Sequence, residues 1–98
     1  MRFVVQCTTM IKYEDQVRKC IEKGKIPRHI FQTFHNAFKS IELTKDLNLF
    51  DIKEVKGNLR RTYYRMRKGK YRAIFFIDAD DILVIHIGKR DEVYKLWR

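Results

Sequence analysis

The sequence has few residues that interrupt helices and strands or form disulfides, and it has no long apolar run that could anchor it in a membrane. Its 98 residues include one proline, four glycines and two cysteines. Cys7 and Cys20 match neither a zinc nor a redox spacing, so we expect two small buried thiols in a reducing compartment. The longest apolar run, residues 73–77, is far shorter than the roughly 20 residues that a membrane-spanning helix needs. With no secretory hydrophobic segment at residues 1–7, these shortages predict a soluble cytoplasmic protein with no membrane partner.

Acidic residues are also scarce. Twelve Asp and Glu stand against 22 Lys and Arg, which gives a net charge of +10. Residues 51–77 account for +7 of it, with nine basic groups and two acidic ones, and the stretch from Lys56 to Arg72 contains no acid. A surface of this sign favours polyanionic partners such as nucleic acid, an acidic protein or an anionic membrane.

Length and patterning predict a single domain over residues 1–98. The apolar content of 45% is that of a globular chain, and no linker, repeat or low-complexity tract divides it. Residues 2–7 alternate as a strand, and Thr8 or Thr9 is the predicted N-cap of a helix that ends at Gly24. A second helix is predicted with Pro27 in its first turn, because the apolar residues between Ile30 and Ile41 recur at helical spacing.

The second half of the chain changes to strand periodicity. Strands are predicted over residues 59–67, 71–77 and 82–88, joined by turns at residues 68–70 and 78–81. The order β-α-α-β-β-β predicts an α+β fold in which an antiparallel meander packs against an N-terminal helical hairpin.

The basic segment brings guanidinium groups onto neighbouring strands. Arg65 and Arg67 alternate onto one face with Tyr63, a short hairpin places Arg72 beside them, and Arg90 follows the next strand. Opposed like charges destabilise a sheet, whereas guanidinium groups bind phosphate in a bidentate way, so a phosphate-bearing ligand explains the cluster. The alternative is a solvated basic face whose arginines pair with acids elsewhere, namely Asp78, Asp80, Asp81, Asp91 and Glu92.

Other catalytic or cofactor signals are lacking. The three histidines stand at unrelated positions and support no metal site, and there is no phosphate-binding glycine loop or nucleophile elbow. We therefore expect no cofactor. His86 lies in an apolar strand, which favours a core histidine over a catalytic one.

Several motifs together resemble the RelE/ParE superfamily of type II toxins, and RelE-type mRNA interferases most closely. They are Val55-Lys56-Gly57, Tyr64-Arg65-Met66-Arg67, Gly69-Lys70-Tyr71-Arg72, Ile87-Gly88-Lys89-Arg90 and Glu92-Val93-Tyr94. The resemblance implies a RelE-like fold and a ribosome-dependent endoribonuclease that cuts mRNA in the A site. It also implies a cognate antitoxin partner, which we expect to be acidic and partly disordered when free.

The resemblance also implies roles for individual residues. In RelE-type enzymes the RNA 2′-OH attacks the adjacent phosphate and leaves a 2′,3′-cyclic phosphate. Arg65 and Arg67 match basic sheet positions, and the position of Arg72 stabilises the phosphorane. The position of Arg90 assists the leaving 5′-oxygen, and that of Tyr94 contacts the base or the 2′-OH. The remaining basic residues are expected to bind RNA: Lys56, Arg60, Arg61, Lys68, Lys70 and Lys89.

The sequence does not single out the residue that accepts the proton of the 2′-OH. RelE-type enzymes have lysines where this chain has Arg65 and Arg67, and arginine does not readily act as a base. The candidates are Glu54, His86 and Tyr94, although Glu54 is offset by one residue from a catalytic glutamate of some relatives. Two other functions stay open, a ParE-like inhibitor of DNA gyrase without nuclease activity and a basic nucleic-acid-binding module without chemistry.

Overall fold

Two helices cover one face of a five-stranded sheet. The computed structural model describes residues 10–55 and 61–89. Its elements, in chain order, are β1 (Ile11–Tyr13), α1 (Asp15–Glu22), α2 (Arg28–Thr44), a short 3-10 helix (Leu47–Leu49), β2 (Ile52–Val55), β3 (Tyr63–Lys68), β4 (Tyr71–Asp78) and β5 (Asp81–Lys89). The strand order is β1-β5-β4-β3-β2; β2 to β5 form an antiparallel meander and β1 pairs with β5 in parallel. The predicted α+β class and its meander are confirmed.

The start of the first helix is a correction to the prediction. Residues 11–13 form the edge strand β1, not helix, and α1 begins only at Asp15. Pairing with β5 takes the backbone groups that a helix would need: the Met10 carbonyl accepts from Ile82 N at 2.8 Å, and Glu14 N donates to the Val84 carbonyl at 3.0 Å. Asp81 fixes the same edge, with an oxygen 2.9 Å from Met10 N and an ion pair of 3.4 Å to Lys12. Tertiary pairing thus overrides the helical spacing of residues 10–13.

Two further boundaries differ from prediction. Residues 52–55 form β2, which had not been predicted, and β3 begins at Tyr63 rather than at residue 59. The predicted N-terminal strand, residues 2–7, lies outside the described residues, as do residues 59 and 60.

The first helix ends where its sequence predicts, and the second begins directly after Pro27. Gly24 takes a φ of +76°, while its N–H donates to the Ile21 carbonyl and that of Lys25 donates to the Cys20 carbonyl. These two bonds form a Schellman motif, which satisfies the last carbonyls of α1. Pro27 directly precedes α2, whose predicted stripe supplies the buried residues Phe34, Ala37, Phe38 and Ile41.

An aromatic core joins α2 to the sheet. Phe34, Phe38 and Phe75 are fully buried, and the rings of Phe38 and Phe75 pack edge to face with centroids 5.1 Å apart. The predicted apolar stripe of α2 is confirmed by this packing. Cys20 packs partly buried against the same core, whereas Cys7 lies outside the described residues.

Tyr13 links the edge strand to α2. Its hydroxyl and His35 Nδ1 share a hydrogen bond of 2.9 Å, and its ring packs against Phe31 with centroids 5.0 Å apart. Burial raises the pKa of the Tyr13 hydroxyl above its usual range. Within residues 10–55 and 61–89, no helix is long and apolar enough to cross a membrane.

Candidate nucleic-acid interface

The two faces of the sheet differ in composition. The helix-covered face contributes Met66, Ala73 and Phe75 to the main core. On the opposite face, which we call the open face, Ile74 and Ile85 form a separate apolar cluster to which neither α1 nor α2 contributes. Arg65 pairs with Ile74 across β3 and β4 and therefore lies on the open face. The arginines of β3 thus project on the side away from the helices.

A two-residue hairpin sets Arg67 directly opposite Arg72. Gly69 has a φ of +60°, a conformation that favours glycine, and the turn brings these two arginines into register. Opposed like charges are destabilising, and a carboxylate offsets this pair: Arg67 Nε lies 2.5 Å from an Asp51 oxygen, and Arg67 N donates to the Asp51 carbonyl at 3.0 Å. The proximity of the two arginines predicted from sequence is confirmed, and Asp51 is an anionic neighbour that had not been predicted.

Arg72 is buried, unlike the other arginines of the open face. It is 5% exposed, and its Nη1 donates to the Gly69 carbonyl at 3.3 Å and to the Tyr71 carbonyl at 3.1 Å. The guanidinium therefore holds the hairpin turn in place. Since a buried guanidinium keeps its charge, Arg72 also adds positive potential to the open face.

A β-bulge turns His86 to the open face. Phe75 pairs with Val84 and Ile74 with His86, so Ile85 is an extra residue in β5. The Gln16 side chain of α1 donates to the Ile85 carbonyl at 2.6 Å and holds the bulge. His86 consequently shares a face with Arg65 and lies diagonally across from Arg72, a Cα separation of about 7–8 Å.

The other predicted residues divide between the two faces. Arg61 lies on the open face, with its guanidinium carbon 4.2 Å from the centre of the Phe76 ring. Lys68 and Lys89 both pair with Tyr71, which packs on the core, and so point to the helix side; Lys68 Nζ lies 4.6 Å from the centre of the Phe50 ring.

The remaining predicted residues do not all lie on the open face. Lys70 is exposed in the hairpin turn. Glu54 pairs with Tyr64 and lies on the face opposite to Arg65. Four predicted site residues lie outside the described residues: Lys56, Arg60, Arg90 and Tyr94.

The register also adds residues that the sequence reasoning missed. Lys53 of β2 pairs with Arg65 and adds a cation to the open face. Phe76 is also new on this face, where its ring packs edge to face with that of the predicted Tyr63, with centroids 5.6 Å apart. Recognising residues 52–55 as a short strand with apolar ends would have placed Lys53 on this face.

A cavity of about 180 Å³ lies elsewhere, at the end of α2 and the β4–β5 turn. Its apolar lining is Ile41, Leu47, Ile77 and Ile82, and its polar lining is Glu42, Lys45 and Asp80. Its lining residue on β4, Ile77, is five residues from Arg72, which is about 17 Å at roughly 3.3 Å per residue. It is therefore separate from the arginines.

Comparison with solved structures finds this fold in toxin–antitoxin complexes. The RelB–RelE antitoxin–toxin complex from Methanococcus jannaschii contains a chain that matches with a TM-score of 0.69 and 25% identity, over 89% of this chain and 99% of that one. The archaeal RelE–RelB complex from Pyrococcus horikoshii OT3 matches with a TM-score of 0.66 and 23% identity, over 86% and 97%. The heterotetrameric YoeB–YefM toxin–antitoxin complex from Staphylococcus aureus matches with a TM-score of 0.67 and 17% identity, over 86% and 99%.

Sequence comparison is less sensitive here: no family model matches the chain, and no curated protein does. Chains of the RelE–RelB complexes nevertheless share the fold described above, and RelE is the family that the motifs predicted. The resemblance is thereby confirmed, and the chain has the fold of the RelE-type toxin superfamily.

Proposed function

We propose that this protein is the toxin of a type II toxin–antitoxin system and acts in the cytoplasm as a ribosome-dependent endoribonuclease on mRNA. One observation carries the proposal: Arg65, Arg67, Arg72 and His86 come from three adjacent strands and share the open face. Cations in this arrangement suit the phosphodiester of RNA, since guanidinium groups bind phosphate oxygens and keep their charge.

The proposed reaction is a transesterification within RNA. The 2′-oxygen forms a bond to the adjacent phosphorus, the bond from phosphorus to the 5′-oxygen breaks, and a 2′,3′-cyclic phosphate remains. Negative charge increases on the phosphoryl oxygens in the transition state, where Arg65 and Arg67 are expected to bind them. Buried Arg72 contributes its charge to the same face and keeps the hairpin in place. The need for a 2′-OH makes the activity selective for RNA over DNA.

His86 is the proton acceptor that we favour among the described residues. A neutral imidazole can take the proton of the 2′-OH, which an arginine cannot readily do, and the 5′-oxygen gains its proton from water. Glu54 is on the other face of the sheet and is not favoured. Tyr94 and Arg90 keep the roles implied by the superfamily, namely contact with the base or 2′-OH and assistance to the leaving oxygen.

The antitoxin partner follows from the fold and the charge. The similar chains from M. jannaschii, P. horikoshii and S. aureus were solved in complexes with their antitoxins. A net charge of +10 makes an acidic antitoxin the complementary partner here. Such a segment can fold as it wraps the toxin surface.

Single-turnover cleavage of mRNA on programmed ribosomes tests the proposal. Arg65→Ala, Arg67→Ala and His86→Gln should each slow cleavage by about 10² or more, as expected for groups that act on the transition state. Lys39→Ala, which removes an exposed cation from α2, should cut at the wild-type rate. Wild-type cleavage by Arg65→Ala, Arg67→Ala and His86→Gln would refute the assigned site. Absence of cleavage by the wild-type protein, together with inhibition of DNA supercoiling by purified gyrase, would favour the gyrase inhibitor instead.

A further inference from the structure

An aromatic patch continues the open face beyond the arginines. It consists of Tyr63 at the start of β3 and Phe76 of β4, whose rings meet at an interplanar angle of 85°. Both rings are half-buried and rest on Ile74 and Ile85. Among the described residues, neither helix contributes to this cluster, so the rings belong to the surface that carries Arg65 rather than to the main core.

Arg61 extends this patch outward. Its guanidinium carbon is 4.2 Å from the Phe76 ring centre, a distance at which the planar cation covers the ring. Arg61 is itself an exposed residue, so the group presents positive charge and a flat surface towards solvent. Guanidinium groups and aromatic rings are the two kinds of side chain on which nucleobases stack.

The spacing of the patch suits one nucleotide. Tyr63 and Arg65 are two residues apart on one strand and face, which is about 6.6 Å. That separation is comparable with the length of an extended nucleotide, so a phosphate at Arg65 leaves the neighbouring base beside Tyr63, at the Arg61 guanidinium that covers the Phe76 ring. An uncharged apolar segment of a protein would match the rings but not Arg61, Arg65 and Lys53 around them.

We propose that Arg61, Phe76 and Tyr63 form a base-stacking subsite that binds the nucleobase next to the phosphate held at Arg65. The occupant is single-stranded RNA, and in this the inference rests on the proposed function. Because every base presents a π-face, the subsite contributes affinity and positions the strand with little preference for sequence. Within the basic segment, Arg61 therefore stacks on a base rather than binding a phosphate.

Binding of a fluorescein-labelled, single-stranded RNA to the full chain, followed by anisotropy, tests the subsite. The comparison ligand is an abasic ribose-phosphate oligomer of equal length and charge. We expect the wild type to bind the base-bearing strand about tenfold more tightly, in line with the usual contribution of one stacked base. Phe76→Leu and Arg61→Lys should lower this ratio to within about twofold of unity while leaving affinity for the abasic strand nearly unchanged.

The chain offers a matched control for this experiment. Lys68 and Phe50 form a similar cation–ring pair on the helix side, with 4.6 Å from Nζ to the ring centre. Phe50→Leu should keep the wild-type ratio. Should Phe76→Leu fail to fold, as judged by circular dichroism, Arg61→Lys decides the question because its side chain is exposed.

The outcomes separate this inference from the nuclease proposal. A wild-type ratio near unity, no RNA binding at all, or a ratio that Phe76→Leu and Arg61→Lys leave intact would overturn the subsite. Base discrimination without cleavage on ribosomes would support the subsite and refute the nuclease.

Discussion

Asp51 competes with polyanions for the Arg67 guanidinium of the open face, so removing its charge should strengthen the binding of polyanions. The Asp51 carboxylate lies 2.5 Å from Arg67 Nε, so a phosphate must compete with it for the same guanidinium. Asp51→Asn keeps the shape of the side chain and the backbone bond from Arg67 N to the Asp51 carbonyl. The substitution therefore changes the electrostatics of Arg67 with little change in the strand.

The size of the effect follows from exposure and distance. The side chains of Arg67 and Asp51 are 58% and 37% exposed, so the pair contributes less than about 1 kcal/mol to stability. A phosphate on the far side of the guanidinium sits about 7 Å from the carboxylate, where repulsion in water amounts to about 0.6 kcal/mol, and somewhat more beside the protein. Affinity should therefore rise about threefold to tenfold, and the gain should shrink as salt is added.

Asp80→Asn is the matched control for this measurement. It removes the same charge at the β4–β5 turn, and its φ of 73° suits asparagine. Anisotropy titrations of single-stranded RNA at low and moderate salt compare the two variants, which have equal net charge. Equal affinities in Asp51→Asn and Asp80→Asn, or no gain in Asp51→Asn, would show that the ion pair does not restrain Arg67.

Three further predictions concern the scaffold that positions this face. Phe38→Ala should lower the free energy of unfolding in urea by about 3–5 kcal/mol, because a fully buried ring is lost, and a loss under 1 kcal/mol would contradict the packing. Gly69→Ala should cost about 1 kcal/mol in the same assay through strain at a φ of +60°, since nothing lies within 4 Å of an added Cβ; a stabilised variant would contradict this. The raised pKa of Tyr13 means that the unfolded chain loses this proton first, so stability should fall as pH rises above about 10. Tyr13→Phe should lack that part of the pH dependence, and identical profiles would refute the assignment.

Local pattern predicted the elements that pack on themselves or on the core. The stripe of α2, the stop at Gly24 and the hairpin around Gly69 each depend on a few neighbouring residues, and each is confirmed. The pairing of β1 with β5 joins residues about 70 positions apart, and Met10 to Tyr13 carry helical spacing as well. Periodicity alone could not decide between a strand and a helix for residues 10–13.

The sequence predicted the cations of the site but not the groups that contact them. Alternation along β3 was enough to align Arg65 and Arg67, and the short turn was enough to bring in Arg72. Asp51 reaches Arg67 because it directly precedes β2, a strand that had not been predicted. The burial of Arg72 depends on the turn carbonyls to which its guanidinium donates. Neither contact has a signature in the neighbouring sequence.

The bulge at Ile85 gives β5 one position that could be removed without exchanging the faces of the strand. Val84 and His86, the two neighbours of Ile85, pair with consecutive residues of β4. Deleting Ile85 would therefore restore regular alternation, with Val84 and Ile87 still in the main core and His86 still on the open face. The deletion would remove the carbonyl that Gln16 binds and one of the two buried residues of the open-face apolar cluster. A one-residue deletion elsewhere in β5 would instead exchange the faces of the residues beyond it.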